Sequence, residues 1–148
     1  MNALTVFYDP KCGMCRSFRQ WMLGQWSYCR LEFVPYNSGV ARRLLPEIVN
    51  MDAGREIVVM NDEGDIWQGP EAWVVCLWVL KKWRGWATRM ASPALLPLAA
   101  KACHLISDNR LTLSKLLALK ADEEVAAGCD EPLPCESGAC AVPELRTQ

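Results

Sequence analysis

The sequence has few of the features that mark membrane, nucleic-acid-binding or secreted proteins. Its longest uninterrupted apolar run, Ala72 to Leu80, is nine residues and too short to span a bilayer. Charges nearly cancel, with 16 Lys and Arg against 17 Asp and Glu, so the net charge gives no case for nucleic acid or anionic membrane as a partner. Met1 to Thr5 contains no basic segment of the kind that opens a signal peptide. We therefore expect a cytoplasmic globular protein with no membrane span.

Histidine is also nearly absent, whereas cysteine is abundant. The chain has one histidine, His104, and eight cysteines. In a cytoplasmic protein, cysteines are more often catalytic, metal-binding or reduced core residues than structural disulfides. Cys12 and Cys15 are the only pair with Cys-x-x-Cys spacing, and a zinc site of this type needs a second such pair or a Cys and His pair. The composition thus favours redox chemistry over a zinc site at Cys12 and Cys15.

The local sequence around this pair predicts a strand that leads into a helix. Leu4 to Tyr8 is rich in β-branched and aromatic residues, Asp9-Pro10 ends it, and apolar residues then recur at helical spacing from Cys12 to about Trp26. The start of a helix favours negative charge, so Cys12 should be more acidic and more reactive than a free cysteine. Cys15, one turn later, is close enough to form a disulfide with Cys12. This arrangement is typical of a dithiol redox centre.

The rest of the chain predicts an α/β protein with the element order of the thioredoxin fold. We expect a four-stranded mixed sheet flanked by helices, with additional C-terminal helices. The first strand-helix-strand unit should be parallel, and the later strand pair should be an antiparallel hairpin. The further predicted strands are Leu31 to Pro35, Arg55 to Met60 and Asp65 to Gln68. The further predicted helices are a short one from Val40 to Asn50, one from Gly69 to about Trp83, one that Ser92-Pro93 starts and, capped by Thr112, one from Leu113 to about Ala127.

The chain resembles the DCC family of thiol-disulfide oxidoreductases, named for one aspartate and two cysteines. The residues that carry the resemblance lie between about 4 and 117, and they are Tyr8-Asp9, Cys12-Gly13-x-Cys15, Leu31 to Pro35, Trp83 to Trp86 and Asn109-Arg110. The resemblance implies a thioredoxin-like domain over residues 1–117, with Asp9, Cys12 and Cys15 as the functional residues. It implies no cofactor beyond the dithiol, with glutathione as a candidate co-substrate.

Two positions depart from related patterns. The DCC family usually has glycine after the aspartate, where this chain has Pro10. Thioredoxin and glutaredoxin have a cis-proline just before the third strand, where this chain has Arg55-Glu56. The resemblance therefore does not define how a substrate backbone docks.

The expected chemistry is thiol-disulfide exchange with a disulfide- or thiol-bearing protein or small molecule. Cys12 attacks as a thiolate and forms a mixed disulfide, and Cys15 resolves it. Asp9 has two alternative roles, either as the proton acceptor for Cys15 in the resolving step or as a cap of the helix or turn.

The C-terminal segment leaves other functions open. Residues 118–148 are expected to form a helix and a partly flexible Cys-rich tail, in which Cys129, Cys135 and Cys140 have C-x5-C-x4-C spacing. These thiols are candidates for binding a soft metal such as zinc or copper with a fourth ligand from elsewhere, for a disulfide or electron relay, or for no specific role. The alternatives to an oxidoreductase are thus a metal-handling protein and a non-catalytic thioredoxin-fold interaction module.

Overall fold

Four strands and five helices make up the part of the chain that this computed structural model describes, residues 1–92 and 95–116. The predicted tail with Cys129, Cys135 and Cys140 lies outside the described residues. In chain order the elements are β1 (Ala3–Tyr8), α1 (Gly13–Leu23), β2 (Arg30–Pro35), α2 (Gly39–Leu44), a 3-10 helix (Pro46–Val49), β3 (Val58–Asn61), β4 (Ile66–Gln68), α3 (Pro70–Trp78), α4 (Arg84–Met90) and α5 (Leu96–Leu116).

The strands form one mixed sheet in the order β2-β1-β3-β4. β1 pairs parallel with β2 and antiparallel with β3, and β3 pairs antiparallel with β4. The parallel pair is connected through α1, as a βαβ unit requires. The predicted α/β thioredoxin-like fold with a four-stranded mixed sheet is confirmed.

Side-chain alternation along β1 supplies a core to each face of the sheet. Leu4 and Val6 are fully buried in the cluster that α1 and α3 complete with Met22 and Cys76. Phe7, on the opposite face, packs with Ala41 and other residues of the α2 region. Because successive strand residues point to opposite faces, β1 is buried on both sides, and its C-terminal end is held rigidly where α1 begins.

Several predicted boundaries were wrong. β3 begins at Val58 instead of Arg55, because the N–H groups of Arg55 and Glu56 both donate to the Asp52 carbonyl and form a turn. The helix predicted to reach Trp83 ends at Trp78, and α4 follows it. Thr112 lies inside α5 and does not cap a new helix. No helix in the described part of the chain combines the length and the apolar character needed to cross a lipid bilayer.

Candidate active site

Cys12 and Cys15 come together at the start of α1. Cys12 is the N-cap residue, and its Sγ accepts a hydrogen bond from the Cys15 N–H at 3.4 Å. Both residues are free thiols. An N–H donor at a helix N-terminus stabilises negative charge on the acceptor, so the backbone of α1 favours the thiolate form of Cys12.

The turn between β1 and α1 fixes the position of Cys12. Asp9 Oδ1 accepts from the Lys11 N–H at 2.9 Å, and the Asp9 carbonyl accepts from the Cys12 N–H at 3.1 Å. Pro10 is fully buried within this turn. Asp9 thus stabilises the turn, which is one of the two roles predicted for it from the sequence. Its role in proton transfer remains a prediction.

Ser114, on α5, covers Cys12 and was not predicted from the sequence. Its Oγ accepts from the Met14 N–H at 2.9 Å and lies 3.9 Å from Cys12 Sγ. Ser114 is buried, and Cys12 is completely buried beneath it. Because the Met14 N–H occupies one lone pair of the hydroxyl, the hydroxyl proton remains available for the Cys12 sulfur. Ser114 therefore satisfies an N–H group of the first turn of α1 and contacts the thiol as well.

A cleft of about 540 Å³, including its open mouth, lies beside the dithiol. Cys15, which is half-buried, lines it, whereas Cys12 does not. Phe18 and Trp73 form an aromatic wall, with ring centroids 4.5 Å apart. Trp21 and Trp67 do not line the cleft. The cleft is thus mainly apolar next to Cys15, as small-molecule binding sites commonly are.

Charged residues stand at the edge of the cleft and connect the loop before β3 to α5. Arg55 Nη2 donates to Asp108 Oδ1 at 2.8 Å. His104 Nδ1 lies 3.3 Å from Glu56 Oε1. The Arg55–Asp108 pair is exposed and the His104–Glu56 contact is partly exposed, so water and salt screen both contacts and each holds α5 only weakly.

The remaining described thiols lie in the core. Cys76 is completely buried, and this burial raises the pKa of its thiol well above the ordinary value. Partial burial also raises the pKa of Cys29. These thiols stay protonated at neutral pH and act as small core residues. Among the described residues, no group of three or more His, Cys, Asp and Glu side chains is placed to hold a metal ion.

Comparison with known proteins gives a family. A family model described as DCC1-like thiol-disulfide oxidoreductase matches residues 6–116. No curated protein and no solved structure matches the chain. The family match spans most of the sequence and includes Asp9, both cysteines of the Cys-x-x-Cys pair and Ser114. The chain belongs to the DCC1-like thiol-disulfide oxidoreductase family.

Proposed function

We propose that the protein is a dithiol-disulfide oxidoreductase that uses Cys12 as nucleophile and Cys15 as resolving thiol. The observation that supports this most directly is the 3.4 Å hydrogen bond from the Cys15 N–H to Cys12 Sγ at the start of α1. It stabilises one thiolate and places the second cysteine one turn away. No other pair of described cysteines combines such proximity with an adjoining cleft.

The reaction exchanges two electrons through sulfur alone. The Cys12 thiolate attacks one sulfur of the substrate disulfide, a Cys12–substrate S–S bond forms, and the other substrate sulfur leaves as a thiolate that takes up a proton. Cys15, once deprotonated, then attacks Cys12 Sγ and releases the second substrate thiol. The substrate is reduced and the protein retains a Cys12–Cys15 disulfide, which a second dithiol or glutathione reverses.

Access to Cys12 requires α5 to move. Among the side chains of α5 that the structure describes, only Ser114 is buried, and Ala100 and Leu113 are half-buried. The Arg55–Asp108 ion pair is exposed, and the His104–Glu56 contact is partly exposed. Because these contacts are screened by solvent, they oppose displacement of α5 only weakly. In this proposal, movement of α5 carries Ser114 away from Cys12. The substrate disulfide then reaches Cys12 Sγ from the cleft that Cys15 lines.

Single cysteine replacements test the proposal. The assay is reduction of a chromogenic aromatic disulfide, with mass spectrometry of trapped adducts. Cys12→Ser should abolish turnover, and Cys15→Ser should accumulate a mixed disulfide on Cys12. Cys76→Ser is the matched control, because it removes a buried thiol that does not line the cleft and should retain turnover.

Two results would change this conclusion. Normal turnover by both Cys12→Ser and Cys15→Ser would overturn the proposed function. A substrate mixed disulfide on Cys15 that accumulates in the wild-type chain during turnover would keep the dithiol reaction and reverse the order in which the two thiols act.

A further inference from the structure

A patch of aromatic and cationic side chains lies at the far ends of α1 and α3 from the cleft. We call its members, Trp26, Tyr28, Trp78, Lys81 and Arg84, the cationic-aromatic patch. Trp26 is 80% exposed, Tyr28 57% and Trp78 38%. Large aromatic side chains left this exposed and close together indicate an interaction surface.

Direct contacts join these side chains into one surface. Lys81 Nζ lies 5.6 Å from the centroid of the Trp26 ring and 5.7 Å from that of Tyr28. Arg84 Cζ lies 4.7 Å from the Tyr28 centroid and 4.0 Å from that of Trp78. These distances are within the range of cation–π interactions.

The backbone beneath the patch is held in place. The Lys81 N–H donates to the Trp26 carbonyl at 2.9 Å, and the Tyr28 N–H donates to the Val79 carbonyl at 2.8 Å. An isolated β-bridge pairs Ser27 with Leu80. The exposed rings therefore project from a supported backbone and are pre-positioned for a partner.

The chain segment that contains Trp78, Lys81 and Arg84 carries charge of one sign. Residues 72–107 contain Lys81, Lys82, Arg84, Arg89 and Lys101 but no Asp or Glu. All 17 acidic residues of the chain lie elsewhere, so the near-zero net charge of the whole chain does not reveal this basic segment. No ion pair joins Lys81 or Arg84 to a carboxylate in the described part of the chain.

We propose that the cationic-aromatic patch docks the protein on the surface of an anionic phospholipid bilayer. Trp and Tyr favour the headgroup region of a membrane, and each Lys or Arg near an anionic surface adds attraction. Single-stranded nucleic acid also binds cations and aromatic rings, but it stacks bases on free ring faces. Here Lys81 and Arg84 already occupy faces of the Trp26, Tyr28 and Trp78 rings, which favours a membrane.

Docking through this patch leaves the redox cleft accessible. Cys12 lies at the N-terminus of α1, and Trp26 follows its C-terminus. The 11 residues of α1 separate the two regions by roughly 16 Å at 1.5 Å per residue. Membrane binding and disulfide exchange should therefore be independent, so that each can fail in an experiment without the other.

The test is co-sedimentation of the full chain with vesicles. One set contains phosphatidylcholine alone, and the other contains equal parts of phosphatidylcholine and phosphatidylglycerol. We expect binding to the anionic vesicles only, and loss of that binding at high salt. K81E/R84E should weaken binding by at least about tenfold, while R42E/R43E, which makes the same charge change at two exposed arginines of α2, should bind like wild type. Disulfide exchange by K81E/R84E should be unchanged.

Four results would overturn the proposal. The first three are no binding to anionic vesicles, equal binding to both lipid compositions, and equal losses of vesicle binding in K81E/R84E and R42E/R43E. The fourth is evidence that the patch binds another partner. That evidence would be tighter binding to a single-stranded oligonucleotide than to vesicles, or a dimer in light scattering that K81E/R84E dissociates.

Discussion

Replacing Ser114 with alanine should have two separable effects on the reactivity of Cys12. The Ser114 hydroxyl lies 3.9 Å from Cys12 Sγ and accepts from the Met14 N–H at 2.9 Å. A hydrogen bond to a charged group contributes about 1.5–3 kcal/mol. Because 3.9 Å is long even for sulfur, we take the lower end. About 1.4 kcal/mol is one pH unit, so the pH of half-maximal alkylation of Cys12 should rise by about one unit.

The same substitution should also weaken the attachment of α5. Loss of the Met14 N–H contact removes a neutral hydrogen bond, which contributes about 1 kcal/mol, and this raises the population with α5 displaced about fivefold. Because displacing α5 also breaks the contact between Ser114 and the Cys12 thiolate, the plateau rate of Cys12 alkylation at high pH should increase by the product of the fivefold and tenfold factors, about 50-fold. Well below the midpoint, where the closed thiol is protonated, the rate should increase only by the fivefold factor, so a measurement at one pH would not separate the two effects.

The assay is iodoacetamide labelling of Cys12 across a pH series, with peptide mapping to separate Cys12 from Cys15. Thr112→Ala is the matched control, because it removes an exposed hydroxyl from the same helix and should reproduce the wild-type profile. A Ser114→Ala profile that overlays wild type in both midpoint and plateau would refute the contact. A higher plateau with an unchanged midpoint would leave Ser114 as a cover that does not stabilise the thiolate.

Three further predictions concern α5, Asp9 and the core. His104→Ala/Asp108→Ala removes the Arg55–Asp108 ion pair and the His104–Glu56 contact from α5. It should raise the plateau of Cys12 alkylation roughly threefold with no change in midpoint. Arg30→Ala, which breaks a remote ion pair, is the control, and an equal rise in that variant would contradict the prediction. Asp9→Asn keeps an acceptor for the Lys11 N–H but cannot take a proton, so it should slow resolution of the Cys12 mixed disulfide. Asp9→Ala should slow the same step and also destabilise the fold. Unchanged resolution in Asp9→Asn would show that Asp9 acts only as a turn residue. Burial raises the pKa of the Cys76 thiol from its ordinary 9.0, so the native state keeps a proton that the unfolded chain releases above that pH, and stability falls as pH rises. The difference in free energy of unfolding between wild type and Cys76→Ala, measured with urea, should therefore narrow by about 1.4 kcal/mol from pH 7 to pH 10. The same difference at both pH values would show that the thiol does not titrate on unfolding.

The sequence predicted the parts of the site that depend on neighbouring residues. β1, the Asp9-Pro10 turn and the start of α1 are adjacent in the chain, so composition and periodicity were sufficient to place Cys12 and Cys15 together. Arg55 and Glu56 resemble the start of a strand in composition, but their N–H groups bond to Asp52 and turn the backbone toward the cleft.

The contact that covers Cys12 depends on residues far apart in the chain. Ser114 and Cys12 are 102 positions apart, and nothing in the periodicity of α5 distinguishes Ser114 from its neighbours. Its placement follows from the packing of α5 against α1 and α3, which no local pattern encodes. α4 was missed for a related reason, since Arg84–Met90 has one buried residue, Ala87, and hence no apolar stripe.

The burial of Cys12 implies that its reactivity is set by two equilibria instead of one. If only molecules with α5 displaced react, the observed rate constant equals the intrinsic rate constant of the thiolate multiplied by the open fraction. An element that opens with a free energy of a few kcal/mol is open in about 0.1–10% of molecules, so the closed helix slows Cys12 by about 10- to 1,000-fold. Cys15 lines the cleft and does not share this factor. In the reduced protein, Cys15 should therefore be alkylated faster than Cys12 at high pH, where both are ionised, and displacement of α5 should bring the two rates together.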